Sequence, residues 1–249
     1  MILPTQDPGY PYVCEKIISL PREISLLRLL PSTARNLSFL PGQYVETTVE
    51  CLNHACLPLS IASLPSDPAI EIHLRHDDAH PLAQAFLDQI TRSPALILSG
   101  PKGRCTWDRV PPSTRSVLLL AGGTGFAPLR SLLSQAFLNP SLSSQQTLHL
   151  YWGIRHPLDA YDKILLDFWQ AQHPNFNYTL VLSAPHSHPE WTGAAGWVHA
   201  YMASQYISLT KDTIVFASGP YAMIQAAKTA LIAKGLASER LLSDMLEPS

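Results

Sequence analysis

One segment of the sequence has the residue types of a phosphate-binding turn. An apolar run, Ser116–Ala121, leads into a turn made of Gly122, Gly123, Thr124 and Gly125. Glycine adopts positive φ without a steric penalty and lets a ligand lie against bare backbone. Pro128 fits the first position of a following helix, whose free N–H groups and positive dipole end favour a pyrophosphate. The segment therefore predicts a nucleotide-phosphate site, with the Thr124 hydroxyl in the same crevice.

The elements around this turn alternate between strand and helix patterns. Apolar runs predict further strands at Thr147–Gly153, Phe176–Leu182 and Ile214–Ala217, with helices between them. One of these helices is expected to bury an apolar stripe made of Tyr161, Ile164, Leu165, Phe168 and Trp169. Continuous apolar strands are typical of a parallel sheet covered on both faces, so the second half is predicted to be a doubly wound α/β domain. The order Gly-x-Gly-x-x-Pro departs from the usual Gly-x-Gly-x-x-Gly, and a tight strand–helix turn can use glycines without binding a nucleotide.

The first half of the chain has a different rhythm. Short β-leaning runs are separated by Pro, Gly and Asn and are found at Tyr12–Leu20, Ile24–Leu30, Tyr44–Cys51, Leu59–Ser63, Ile70–Arg75 and Ala95–Ser99. This spacing predicts an antiparallel barrel or sandwich, interrupted by one helix over Pro81–Ile90. The Pro111-Pro112 pair marks the predicted boundary, which gives domains of residues 1–110 and 111–249.

Composition excludes several classes of function. The net charge of −2 and the lack of a basic stripe argue against nucleic-acid binding. No apolar run approaches the ~20 residues that span a bilayer, and residues 1–11 do not resemble a secretory signal. A cytoplasmic protein without a membrane span is therefore predicted. Only Cys51 and Cys56 lie close together among the four cysteines, so no metal site is predicted.

Several short motifs occur along the chain in a characteristic order. They are Pro41-Gly42-Gln43-Tyr44, Pro58-Leu59-Ser60-Ile61-Ala62-Ser63, Gly122–Pro128, Tyr151-Trp152-Gly153-Ile154-Arg155, Ser218-Gly219-Pro220 and Glu239-Arg240-Leu241. Together they resemble the ferredoxin–NADP reductase superfamily, and most closely its bacterial NAD(P)H–flavin reductases. The resemblance implies an N-terminal antiparallel Greek-key β-barrel that binds a flavin, FAD or FMN. It also implies a C-terminal α/β doubly wound parallel sheet that binds NADPH or NADH.

In this family an Arg-x-x-Ser motif binds the flavin, with the arginine on the phosphate and the serine at flavin N5. The corresponding residues here are Leu57, Pro58, Leu59 and Ser60. Ser60 is retained, but the Leu57 side chain cannot form a bidentate contact with phosphate. Either the flavin is held mainly by its ring and exchanges as a substrate, which we favour, or Arg75 supplies the missing charge. Tyr44 borders the flavin site or is only a packed strand aromatic, and His73 is given no role.

The resemblance also suggests roles in the second domain. It places Thr124 near the nicotinamide and flavin rings, Arg155 near the adenosine ribose, and Ser218, Gly219 and Pro220 beside the nicotinamide. Arg155 either pairs with a 2′-phosphate or is a surface residue, and no acidic residue immediately follows the second strand, so NADH and NADPH both stay open. Ser218 either contacts the nicotinamide or caps the next helix.

The implied activity is hydride transfer from NAD(P)H to a flavin, with Ser60 and Thr124 orienting the rings. One alternative is a reductase component with tightly bound FAD that passes electrons to a separate iron–sulfur or oxygenase partner. A second alternative is a non-catalytic nucleotide-binding module, because a fold by itself does not establish chemistry.

Overall fold

A computed structural model of the chain describes residues 9–139 and 145–246. The chain divides into two compact units, Met1–Gly103 and Arg104–Ser249. Residues 104–110, which the sequence analysis assigned to the first domain, therefore belong to the second unit. The reason is packing: Trp107 lies in the core of the second unit and donates its indole N–H to the Leu132 carbonyl at 2.8 Å.

The first unit is a closed antiparallel barrel. Its strands are β1 (Tyr10–Leu20), β2 (Ile24–Pro31), β3 (Tyr44–Val49), β4 (Ala55–Ser60), β5 (Ile70–Arg75) and β6 (Ala95–Lys102). Their spatial order is β4-β3-β6-β1-β2-β5, so β6 returns between β1 and β3 as in a Greek key. The two edge strands meet at an antiparallel bridge between Ile61 and Ile72, called here the barrel closure. The predicted antiparallel barrel is confirmed.

Alternation along the strands separates a core face from an outer face. The barrel core contains Leu57 and Leu59 of β4 and, from β5, Ile70, Ile72 and Leu74. Helix α1 (Pro81–Arg92) covers this core with Phe86 and Ile90. The predicted fourth strand, Leu59–Ser63, was displaced by several residues. The chain turns earlier because Asn53 and His54 adopt positive φ, so β4 starts at Ala55.

The second unit is a parallel sheet with helices on both faces. Its strands are β7 (Ser116–Gly122), β8 (Thr147–Ile154), β9 (Phe176–Leu182), β10 (Ala194–Ala195), β11 (Thr213–Ser218) and β12 (Leu241–Leu242). Their order is β10-β9-β8-β7-β11-β12, so the chain changes its direction of winding between β7 and β11. Separate apolar clusters cover the two faces of the sheet. The predicted doubly wound sheet is confirmed.

The described helices of this unit are α2 (Phe126–Leu138), α3 (Lys163–Gln172), α4 (Val198–Ser204) and α5 (Tyr221–Ile232). Helix α2 begins two residues before Pro128, the predicted first position. Proline is tolerated there because the first four N–H groups of a helix have no intrahelical partner. The predicted stripe on α3 was wrong at Ile164 and Phe168, which are 87% and 58% exposed; Leu166 and Trp169 are the buried residues. Within the described ranges, no helix is both long and apolar enough to cross a bilayer.

Candidate functional site

The glycine turn lies at the carboxyl end of the central strand β7. Gly123–Gly125 form a single 3₁₀ turn that leads directly into α2. The Trp152 indole on β8 donates a hydrogen bond to the Gly123 carbonyl at 2.9 Å, and its ring stacks on Phe126 with centroids 4.2 Å apart. The fully buried Trp152 side chain therefore holds the turn in place. We call residues 122–125 the glycine elbow.

The glycine elbow packs against the turn that follows β11. β7 and β11 are paired, with Ala121 opposite Ser218. A Cβ atom on Gly125 would lie 2.3 Å from the Ser218 carbonyl oxygen, and one on Gly122 would lie 2.7 Å from the Met223 sulfur. Gly219 has φ +143°, and its Cβ would lie 2.9 Å from the Gly122 nitrogen. Backbone approaches backbone so closely that no side chain fits between the two turns.

Close packing, and not positive φ as the sequence suggested, explains two of the three glycines in the elbow. Positive φ is observed at Gly123 (+54°), whereas Gly122 and Gly125 have φ of −123° and −58°. Gly122 and Gly125 are required instead for the close approach of the neighbouring turn. Ser218 does not cap α5, since that helix begins after Pro220 and has no side-chain cap.

The structure brings Thr124 and Ser218 to one place in the second unit. Both are half-buried at the carboxyl edge of the sheet: Thr124 lies in the turn after β7, and Ser218 ends β11, the two strands between which the winding direction changes. Ligands of open α/β sheets bind in the crevice at this point. The crevice offers two hydroxyl groups, bare backbone and the N-terminus of α2, which suits the pyrophosphate of a dinucleotide.

Arg155 lies at the same edge of the sheet, exposed, directly after β8. The next acidic residue, Asp159, is 1% exposed, and its Oδ2 accepts the backbone N–H groups of Arg155 and His156 at 3.0 and 2.9 Å. The carboxylate therefore holds the turn. Asp159 was not singled out from the sequence; the signal that could have found it is an acidic residue three positions after the capping residue His156.

The barrel brings Ser60 and Tyr44 together on its outer face. Tyr44 on β3 pairs with Ser60 on β4 and, on its other side, with Lys102 on β6. Lys102 Nζ lies 2.5 Å from Glu46 Oε2. This hydrogen bond raises the pKa of Lys102 and lowers that of Glu46. Nothing in the sequence singles out Lys102, because only strand pairing places it beside Tyr44.

The other predicted flavin residues lie in different environments. Leu57 and Leu59 are buried in the barrel core, and Pro58 between them is exposed. Arg75, at the end of β5, donates to the Arg22 carbonyl at 3.3 Å and lies 3.7 Å from Asp77 Oδ2. The guanidinium of Arg75 is therefore engaged by groups of the barrel itself.

Several known proteins are similar in sequence to this chain. Residues 119–229 match the family model of an oxidoreductase NAD-binding domain. The CDP-6-deoxy-L-threo-D-glycero-4-hexulose-3-dehydrase reductase of Yersinia pestis is 33% identical over 248 residues, which cover 98% of this chain and 70% of that protein. A probable flavin reductase of Aliivibrio fischeri is 30% identical over 84% of this chain and 86% of its own length.

Solved structures share the whole two-domain fold. A ferredoxin NADP+ reductase from Neisseria gonorrhoeae, with bound FAD and NADP, superposes with a TM-score of 0.78 at 14% identity, over 95% of this chain and 98% of that chain. The Amycolatopsis cytochrome P450 reductase GcoB gives 0.79 at 24% identity, over 94% and 68%. The chain belongs to the ferredoxin–NADP reductase family. It is therefore an NAD(P)H-dependent oxidoreductase of this family.

Some members of the family are longer than the region that matches. The toluate 1,2-dioxygenase electron transfer component of Pseudomonas putida is 27% identical, and the match covers 93% of this chain but 66% of that protein. The chain thus spans about two thirds of that protein's length. Within residues 9–139 and 145–246, no three His, Cys, Asp or Glu side chains are grouped to hold a metal ion.

Proposed function

We propose that the protein transfers hydride from NADPH or NADH to a flavin that enters and leaves as a substrate. The observation that carries this proposal is the burial of Leu57 in the barrel core, at the position of the family's phosphate-binding arginine. Arg75, the alternative cation, is already in contact with Arg22 and Asp77. A flavin without a guanidinium on its phosphate is bound mainly through its ring, and such binding favours exchange.

The residues of each domain have separate tasks under this proposal. On the barrel, the outer face at Ser60 and Tyr44 binds the flavin ring, and the Ser60 hydroxyl orients it. In the second domain the glycine elbow binds the pyrophosphate through its N–H groups. Thr124 and Ser218 orient the nicotinamide, while Arg155 and Pro220 border the nucleotide. The protein contributes the positioning of the two rings, because the nicotinamide and the flavin themselves are the hydride donor and acceptor.

The overall reaction is NAD(P)H + H⁺ + oxidised flavin → NAD(P)⁺ + reduced flavin. Purified protein mixed with NADPH or NADH and with riboflavin, FMN or FAD is expected to show loss of absorbance at 340 nm that saturates with flavin. Ser60→Ala should slow this reaction, whereas Ser19→Ala, which removes an exposed hydroxyl elsewhere on the barrel, should not. Failure of every nucleotide–flavin pair to react above the uncatalysed rate would reject the proposal.

A second candidate is a reductase with firmly bound FAD that serves a separate iron–sulfur or oxygenase partner. Relatives favour it, since several are named as components of dioxygenase systems. The flavin content of the purified protein and the acceptor it needs distinguish the two candidates. One equivalent of retained flavin, with turnover that needs an iron–sulfur acceptor but no added flavin, would establish the second; a colourless protein whose rate follows added flavin would establish the first.

A further inference from the structure

His73 and Glu71 form a polar pair on the outer face of β5. Their neighbours in sequence, Ile70, Ile72 and Leu74, all lie in the barrel core, so the pair lies on the opposite face. The His73 side chain has no solvent exposure, and its Nε2 is 2.9 Å from Glu71 Oε1. Buried polar side chains are costly unless they are partnered. The pair is therefore a fixed part of the structure.

The barrel closure brings His73 next to Ser60. Ile61 pairs with Ile72 in the antiparallel sense, and the Ala62 N–H donates to the Glu71 carbonyl at 2.8 Å. In this register Ser60 and His73 are the next pair of opposed residues. Opposed residues share a face, with Cβ atoms about 4.5–5.5 Å apart. Ser60 and His73 therefore lie opposite each other on the outer face at the barrel closure.

Ser60 then has a ring-bearing neighbour on either side. The outer-face row is Lys102, Tyr44, Ser60 and His73, on the adjacent strands β6, β3, β4 and β5. Lys102, at one end of the row, is paired with Glu46 of β3 at 2.5 Å, and His73, at the other end, is paired with Glu71 of β5 at 2.9 Å. Ser60 is the smallest side chain of this row and is half-buried.

We infer that His73, held by Glu71, is a positioning residue that directs the Ser60 hydroxyl toward the flavin ring. This inference rests on the proposed function. The hydrogen of a serine hydroxyl rotates to suit its neighbours, so a fixed polar neighbour decides where it points. Without that neighbour, Ser60 has to be ordered by the ligand itself, and ligand binding is weakened.

A double-mutant cycle on Ser60 and His73 tests the inference. The variants are Ser60→Ala, His73→Phe and the double variant, and the measurement is the Kd for riboflavin by flavin fluorescence. His73→Phe should weaken binding roughly threefold to tenfold when Ser60 is present. It should have almost no further effect in the Ser60→Ala background, because it acts through that hydroxyl. Equal effects of His73→Phe in both backgrounds would overturn the inference.

His76→Phe is the matched control. His76 is a second histidine of the barrel, half-buried, with ring nitrogens 3.1 Å from Ser25 Oγ and 3.0 Å from Gln84 Oε1. The His76→Phe variant should change the stability to urea without changing the riboflavin Kd.

If His73→Phe does not fold, His73→Asn and Glu71→Gln replace it in the same cycle with smaller changes. Their effects on the riboflavin Kd should likewise disappear in the Ser60→Ala background.

A measurement without flavin tests the inferred proximity of His73 to Ser60. In ¹H NMR spectra of the flavin-free protein, the His73 ring signal should shift in Ser60→Ala and stay in place in Ser19→Ala; an unmoved signal in both would contradict the contact. Failure of the proposed function and failure of this inference give different results. A wild-type protein that binds no riboflavin would overturn the proposed function and this inference together. Additive effects in a protein that does bind riboflavin would overturn this inference alone.

Discussion

Gly125→Ala probes the contact between the glycine elbow and the turn after β11. Gly125 has φ −58°, which alanine adopts without strain, so the substitution acts only through its Cβ atom. That atom would lie 2.3 Å from the Ser218 carbonyl oxygen, 2.5 Å from its carbonyl carbon and 2.7 Å from the Gly219 nitrogen. All three are backbone atoms, so no side-chain rotation relieves the clash.

The magnitude follows from the distances. Ordinary contacts of a Cβ atom begin at 3.4 Å, so the two turns must separate by about 1 Å. Overpacking of this kind costs about 1–3 kcal/mol of unfolding free energy. The separation also misdirects the N–H groups of the elbow, and losing one hydrogen bond to a pyrophosphate weakens binding by about tenfold or more.

Urea unfolding and NADPH titration measure the two effects, with Gly196→Ala as the control. Gly196 has φ +106° but no atom within 4 Å of its Cβ position, so alanine there adds backbone strain without a clash. It should lower stability by about 1 kcal/mol and leave NADPH affinity unchanged. Riboflavin binding, which we assign to the barrel, should be unchanged in both variants. Wild-type NADPH affinity and stability in Gly125→Ala would refute the account of the elbow.

Three further predictions concern the second domain. Trp152→Phe removes the hydrogen bond to the Gly123 carbonyl and is expected to cost about 1–3 kcal/mol and to weaken NADPH binding, measured as above. Asp159→Asn weakens the acceptor for two backbone N–H groups and should destabilise by about 1–3 kcal/mol in urea, without loss of riboflavin binding. Burial lowers the pKa of His149 to about 4 from 6.5, so the unfolded chain binds more protons between these values. Stability should therefore fall by roughly 2–3 kcal/mol as pH decreases from 6.5 to 4, and a pH series on His149→Gln that keeps this dependence would contradict the assignment.

Much of the fold follows from local pattern. Strand β5 and strand β9 match their predicted bounds, because β5 alternates apolar and polar residues and β9 is rich in aromatic and aliphatic residues that favour strands. Ile164 and Phe168 show the limit of this reasoning. They fit an apolar stripe at helical spacing together with Trp169, which is buried as predicted, yet the other buried residue of the helix is Leu166 and not either of them. Only the position of the sheet decides which of these apolar residues face the core.

The barrel site shows a different limit. Ser60 could be singled out because it lies in a short motif, and Leu57 because it departs from that motif. Lys102 and His73 lie in the same outer-face row but are far from Ser60 in sequence. Their proximity depends on which strands pair and in what register, and a shift of one residue would turn each side chain to the other face.

The sequence by itself determined the two rhythms of the chain, the glycine elbow and its place after the first strand of the parallel sheet. These depend on periodicity and on the conformational freedom of glycine, which are local properties. Tertiary structure alone decided that Gly122 and Gly125 are needed for contact with the turn after β11, that Leu57 faces the barrel core, and that His73 lies beside Ser60. Each of these depends on a pairing between distant segments, and the energy that selects such a pairing comes from the packed core as a whole.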